Sequence, residues 1–112
     1  LFSMFTFLLS APEPVKVEPL EYNVIVTCYT ASVDETDDTP FITADGTDLR
    51  KTKENIIAAN WLPFGTKVLI NGKEYIVRDR MNKRFKEYHV DILVGSKEEA
   101  YKCNRYQKML IK

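Results

Sequence analysis

Residues 74–95 read EYIVRDRMNKRFKEYHVDILVG, and this stretch decides the fold. It holds two short segments rich in β-branched residues, Tyr75-Ile76-Val77-Arg78 and Val90-Asp91-Ile92-Leu93-Val94, joined by an irregular, basic connection. Segments of that length and composition read as strands. Each carries an aspartate where an apolar residue is expected: Asp79 ends the first, and Asp91 interrupts the second. A carboxylate buried among Val, Ile and Leu is unfavourable unless paired, hydrogen-bonded or protonated. Two of them, brought together by one connection, are the chain's best candidates for chemistry.

The flanking residues extend the same pattern. Lys67 to Ile70 predicts a strand that turns at Asn71-Gly72, a strong hairpin signal, into its partner at Lys73 to Arg78. Pro63 and Gly65 fix a bend before it, with Gly65 at a backbone angle other residues avoid. Residues 22–31 (YNVIVTCYTA) predict a core strand, and Phe41-Ile42-Thr43-Ala44 a short one closed by Asp45-Gly46. Residues 47–57 are more polar and predict at most one irregular helical turn. Downstream, Ser96 fits a helix N-cap and Glu99 its capping-box partner. That helix ends near Cys103-Asn104, and residues 107–111 form a last strand. Six or seven short strands, one definite helix and no βαβ periodicity imply a small mixed or all-β barrel.

A chain of 112 residues supports one domain. Zero formal net charge argues against nucleic-acid binding and against a polybasic membrane surface. Residues 1–10 (LFSMFTFLLS) are too short to span a bilayer and read as the tail of a signal-peptide core, or as a truncated anchor. Both place the domain outside the cytoplasm: periplasm, cell wall or extracellular space. A proline-rich linker (residues 12–20) follows, with the domain at residues 21–112. Cys28 and Cys103 are compatible with one disulfide or with a free buried pair. With one His and no Cys-x-x-Cys, neither a metal site nor a cofactor is expected. Asp34, Glu35, Asp37 and Asp38 form a polar loop: solvated, cation-binding without EF-hand spacing, or supplying one groove acid, Asp34 or Asp37. The thirteen aromatic residues (six Phe, six Tyr, one Trp) are core, or in the case of Tyr29 and Trp61 sugar-stacking platforms.

Five segments in order carry a family likeness: Thr43 to Thr47 (TADGT), Ile57 to Asn60 (IAAN), Leu62 to Thr66 (LPFGT), Val77 to Arg80 (VRDR) and Val90 to Ile92 (VDI). Together they resemble the three-aspartate (3D) domain and the related rare lipoprotein A-like domain, over about residues 22–112. The resemblance implies a six-stranded double-psi β-barrel with one or two short helices. It also implies a cell-wall role, since such domains occur in lytic transglycosylases and their relatives include expansins. It makes Asp91 the catalytic acid/base and Asp79 its supporting carboxylate. Thr43, Ala44, Gly46 and Thr47 would line the same groove. Asn60 stands where the family often has its first aspartate, and an amide cannot exchange a proton.

The activity so implied needs one carboxyl group. Asp91 would protonate the glycosidic oxygen, then take the proton from the muramoyl C6 hydroxyl as it closes a 1,6-anhydro ring. That requires a carboxyl protonated near neutral pH. Apolar neighbours and Asp79 push in that direction, while Arg78 or Arg80 opposes it. Asp34, Asn60, Tyr29 and Arg80 complete the expected substrate contacts. The expected partner is the peptidoglycan glycan strand, met by a monomer. The alternatives are a non-catalytic, expansin-like wall-binding module and a hydrolase using Asp79 and Asp91 as an acid–base pair.

Overall fold

A computed structural model of the chain describes residues 20–32 and 39–112. The apolar N-terminal run, the linker up to residue 19 and the acidic residues Asp34, Glu35, Asp37 and Asp38 lie outside the described residues. Six strands form a closed barrel: β1 (Leu20–Tyr29), β2 (Ile56–Ala58), β3 (Lys67–Ile70), β4 (Lys73–Asp79), β5 (His89–Leu93) and β6 (Tyr106–Ile111). One helix, α1 (Lys97–Tyr101), lies between β5 and β6. Around the barrel the order is β1-β5-β2-β4-β3-β6. β1 runs parallel to β5 and β2 parallel to β4; the other four contacts are antiparallel. The expected mainly β, six-stranded barrel with a short helix is therefore present.

Alternation builds the interior. Val24 and Val26 of β1, Val68 and Ile70 of β3, Val77 of β4, Val90 and Ile92 of β5 and Met109 of β6 all point inward and are buried. Each fully buried side chain of this kind contributes roughly 1.5–3 kcal/mol. The predicted Asn71-Gly72 hairpin joins β3 to β4, with both residues at positive φ (51° and 76°), as a primed turn requires. Gly65 also takes a positive φ, 87°, and its N–H bonds the Val77 carbonyl at 2.8 Å, which locks the bend onto β4.

Two expected elements differ. Phe41-Ile42-Thr43-Ala44 is not a strand; it makes a single bridge, Ile42 to Asp48, and otherwise turns. Phe41 and Ile42 are largely exposed, so no core holds them extended. The irregular helical turn expected over residues 47–57 does not form: residues 49–51 turn, 52–55 are irregular, and 56–58 are β2, wedged between β4 and β5. Ile56, Ile57 and Ala58 are all buried because strands cover both edges and side chains cover both faces. Such a strand shows no alternation, and three residues give periodicity nothing to register.

Helix α1 has no buried residue and only five members, too few to persist alone. Ser96 caps it by accepting the Glu99 N–H at 3.2 Å. Just beyond its end, Cys103 is joined by a disulfide to Cys28 of β1. The bond closes a loop across 75 positions. Chain-entropy reasoning puts its contribution near 4 kcal/mol. Reduction, or a paired Cys28→Ser/Cys103→Ser replacement, should lower stability by about that amount in urea titration. An unchanged unfolding midpoint would show that the bond restrains nothing.

Candidate functional site

Register sets four residues side by side across four strands. Thr27 on β1 faces Asp91 on β5, Asp91 faces Ala58 on β2, and Ala58 faces Asp79 on β4. Directly paired residues project to one face. Here it is the outer face, because the flanking Val26, Val90, Ile92, Ile57 and Val77 fill the core. Asp91 is half-buried, and the burial that its apolar neighbours suggest does not arise. The ladder slips between Ile57 and Ala58: Ile57 pairs Val77, and Ala58 pairs Asp79. Arg78 is the extra residue, a bulge that re-aims β4 and sets Asp79 opposite Ala58. Only a methyl group then separates the two aspartates, whose Cα atoms stand roughly 10 Å apart, two strand spacings.

The Asp79 carboxylate is committed to three donors. Its Oδ1 accepts the Ala44 N–H at 2.9 Å and the Arg80 N–H at 2.9 Å, and its Oδ2 accepts the Tyr29 hydroxyl at 2.8 Å. Tyr29 is 7% exposed and presents no open ring face. Burial, then the Asp79 charge, push its phenol far above the usual range, so it remains a donor. Among the described residues neither Arg78 nor Arg80 forms an ion pair with Asp79. The Arg80 guanidinium stacks on Phe64 at 3.7 Å and donates to the Ala59 carbonyl at 2.7 Å. Arg78 reaches Glu54 at 3.2 Å and Asp45 at 3.4 Å instead.

Asp91 belongs to a different chain of contacts. The Thr27 hydroxyl donates to Asp91 Oδ1 at 3.0 Å and lies 3.2 Å from His89 Nε2. A hydroxyl has one proton, so with that proton on Asp91 the imidazole Nε2–H donates to Thr27. Burial, then Arg105, lower the His89 pKa, which keeps the ring neutral near pH 7. Phe85 packs edge-on against it at 4.6 Å. Neither Thr27 nor His89 was indicated by sequence. Thr27 lies 64 positions from Asp91, and only the parallel pairing of β1 with β5 joins them.

Both aspartates open into one groove of about 680 Å³, lined also by Tyr29, Thr43, Ala44 and Arg80. Gly46 and Thr47 do not line it; they belong to the turn that supports it. In that turn Asp45 Oδ1 accepts the hydroxyls of Thr43 (2.6 Å) and Thr47 (2.7 Å) and the Thr47 N–H (3.1 Å). The Asp45 N–H in turn donates to the Arg78 carbonyl at 3.1 Å. Burial raises the Asp45 pKa most, but the bonds from Thr43, Thr47 and Arg78 together outweigh it and leave the value below 3.8.

Asn60 borders an adjoining groove of about 830 Å³ that shares Arg80, Met81 and Phe85 with the first. Its side chain is fully engaged. Nδ2 donates to the carbonyls of Asn82 (2.9 Å) and Phe85 (3.0 Å), and Oδ1 accepts the Met81 N–H (2.8 Å). This amide staples the 81–88 connection to the barrel. A carboxylate could not replace it, having no proton for two carbonyl oxygens.

Asn60→Asp should therefore destabilise the fold by about 2 kcal/mol, since two carbonyls lose their donor and face a charge. A chemical-denaturation midpoint equal to that of the parent would contradict the staple. For Asp45 the sign follows from its lowered value. Its stabilisation is fully present above its unfolded value of 3.8 and is lost as pH falls through the lower folded one. Asp45→Asn should thus weaken the protein at pH 7, and the gap should narrow as pH falls below 3.8.

No protein-family model matches the chain, and no curated protein matches it.

Proposed function

We propose that this domain is a lytic transglycosylase that cleaves the bond between N-acetylmuramic acid and N-acetylglucosamine in peptidoglycan, with Asp91 as its acid and base. One observation carries the reading: two aspartates from the strands on either side of β2 open into one groove, where three protein donors fix Asp79 and the Thr27 hydroxyl, with His89 behind it, positions Asp91. The closed six-stranded barrel with two parallel pairs supports the likeness to double-psi barrels. The Cys28–Cys103 disulfide supports an exported, oxidising location.

In this reading Asp91 carries a proton when the glycan lies in the groove. It gives that proton to the glycosidic oxygen, the bond to the anomeric carbon breaks, and the ring gains oxocarbenium character. The C6 hydroxyl of the same muramoyl residue attacks the anomeric carbon and returns its proton to Asp91. The products are a 1,6-anhydro end and a free 4-hydroxyl, with no water consumed. Thr27, held by His89, positions the Asp91 carboxyl. Asp79 fixes Ala44 and Tyr29 around it without exchanging a proton.

A non-catalytic wall-binding module is the second reading, favoured by the aromatic side chains of the adjoining groove, which need no proton carrier. Mass spectrometry of digested sacculi separates the two. The enzyme should release anhydro-muropeptides, and Asp91→Asn should reduce release at least a hundredfold, the usual contribution of a positioned acid being about 10²–10⁴. Sacculi left intact by the parent protein sink the enzyme reading, and reducing ends without the anhydro group point to hydrolysis.

A further inference from the structure

The 81–88 connection builds a second surface that the chemistry at Asp91 does not use. Trp61 is fixed there: its Nε1–H donates to the His89 carbonyl at 3.0 Å. Its ring packs against Tyr22 (5.4 Å between centroids) and Tyr88 (5.5 Å). Tyr88 is held at a φ of 64°, an uncommon conformation for a tyrosine, by the pairing of its carbonyl with the Ile25 N–H at 2.7 Å. The residue is nonetheless 47% exposed. Trp61, Tyr88 and Phe85 thus form an apolar wall. Around it stand Arg80, Lys83 and Lys86, against a single acid, Glu87. Among the described residues no carboxylate pairs with any of the three cations.

We propose that this aromatic, basic groove is a subsite for a carboxylate-bearing sugar, with the sugar ring against Trp61 and Tyr88 and its carboxylate between Lys83 and Lys86. A pyranose offers a face of C–H groups to an aromatic ring, whose face is its negative side. The unpaired lysines supply the charge complement. The groove continues into the aspartate groove through Arg80, Met81 and Phe85, so one strand can lie across both. The proposal rests on the glycan reading above and narrows it to strands whose muramoyl residues are free of stem peptide, because a lactyl group joined to a peptide as an amide carries no carboxylate; that free acid is recognised beside the reacting bond, not at it.

Trp61 is the chain's only tryptophan, so its emission reports this groove alone. The probes are a soluble tetrasaccharide alternating N-acetylglucosamine with N-acetylmuramic acid, and neutral chitotetraose. The muramoyl probe should change Trp61 emission saturably. Its Kd should rise about tenfold in Lys83→Ala/Lys86→Ala, two partly exposed ion pairs being lost. It should rise similarly in about 1 M salt, where the screening length is about 3 Å. Chitotetraose should bind more weakly and respond to neither change. No emission change, equal affinity for both probes, or an unaltered Kd in the double variant overturns the proposal. A protein that binds but releases no anhydro ends loses the enzyme reading and keeps the subsite. One that releases them with no Trp61 response loses the subsite alone.

Discussion

The Asp79 carboxylate is the point on which the rest of the site depends. Its three donors come from three parts of the chain: the end of β1, the 39–48 segment and the end of β4. The 39–48 segment makes one isolated bridge and exposes both Phe41 and Ile42. It therefore has little apolar burial to hold it, and the Asp79–Ala44 bond with the Asp45–Arg78 backbone bond ties it to the barrel. A buried tyrosine hydroxyl left without an acceptor would be unfavourable by about 1–3 kcal/mol. Asp79 thus ties the loop to the barrel and satisfies Tyr29 with the same two oxygens.

A slip of one residue makes that possible. Without the bulge at Arg78, strict alternation would set Arg78 opposite Ala58 and turn Asp79 to the other face. With it, Arg78 reaches Asp45 and Glu54, and Asp79 joins the row that holds Asp91. Backbone irregularity here does what no side-chain substitution could.

Local chemistry was legible where one or two residues decide the backbone. Asn71-Gly72 and Gly65 take the positive φ values their types imply, and Ser96 caps its helix. The stretch at 74–95 holds two strands as read, because its runs are long enough to register. Ile56–Ala58 was not legible: its identity as a strand comes from neighbours on both edges, which no local pattern encodes. The same holds for Thr27 and His89, which meet Asp91 only through the closed barrel. The aspartates were found by their odd setting, yet the inferred reason was wrong for Asp91. Its apolar neighbours face the core while it faces out, so the setting marks alternation, not a buried charge.

Asn60 bears on how far a motif can be carried from one chain to another. Read as a departure from three acids, it looks like a lost proton carrier. In the fold its amide has another task, which requires both donors and an acceptor: it closes the 81–88 connection onto the barrel. That connection carries Phe85 and Tyr88, as well as the lysines beside Trp61. It also meets the aspartate groove at Met81, Asn82 and Phe85. Fixing it fixes the position of one groove against the other. A side chain that reads as a missing acid in the sequence therefore holds in place the segment that borders both grooves.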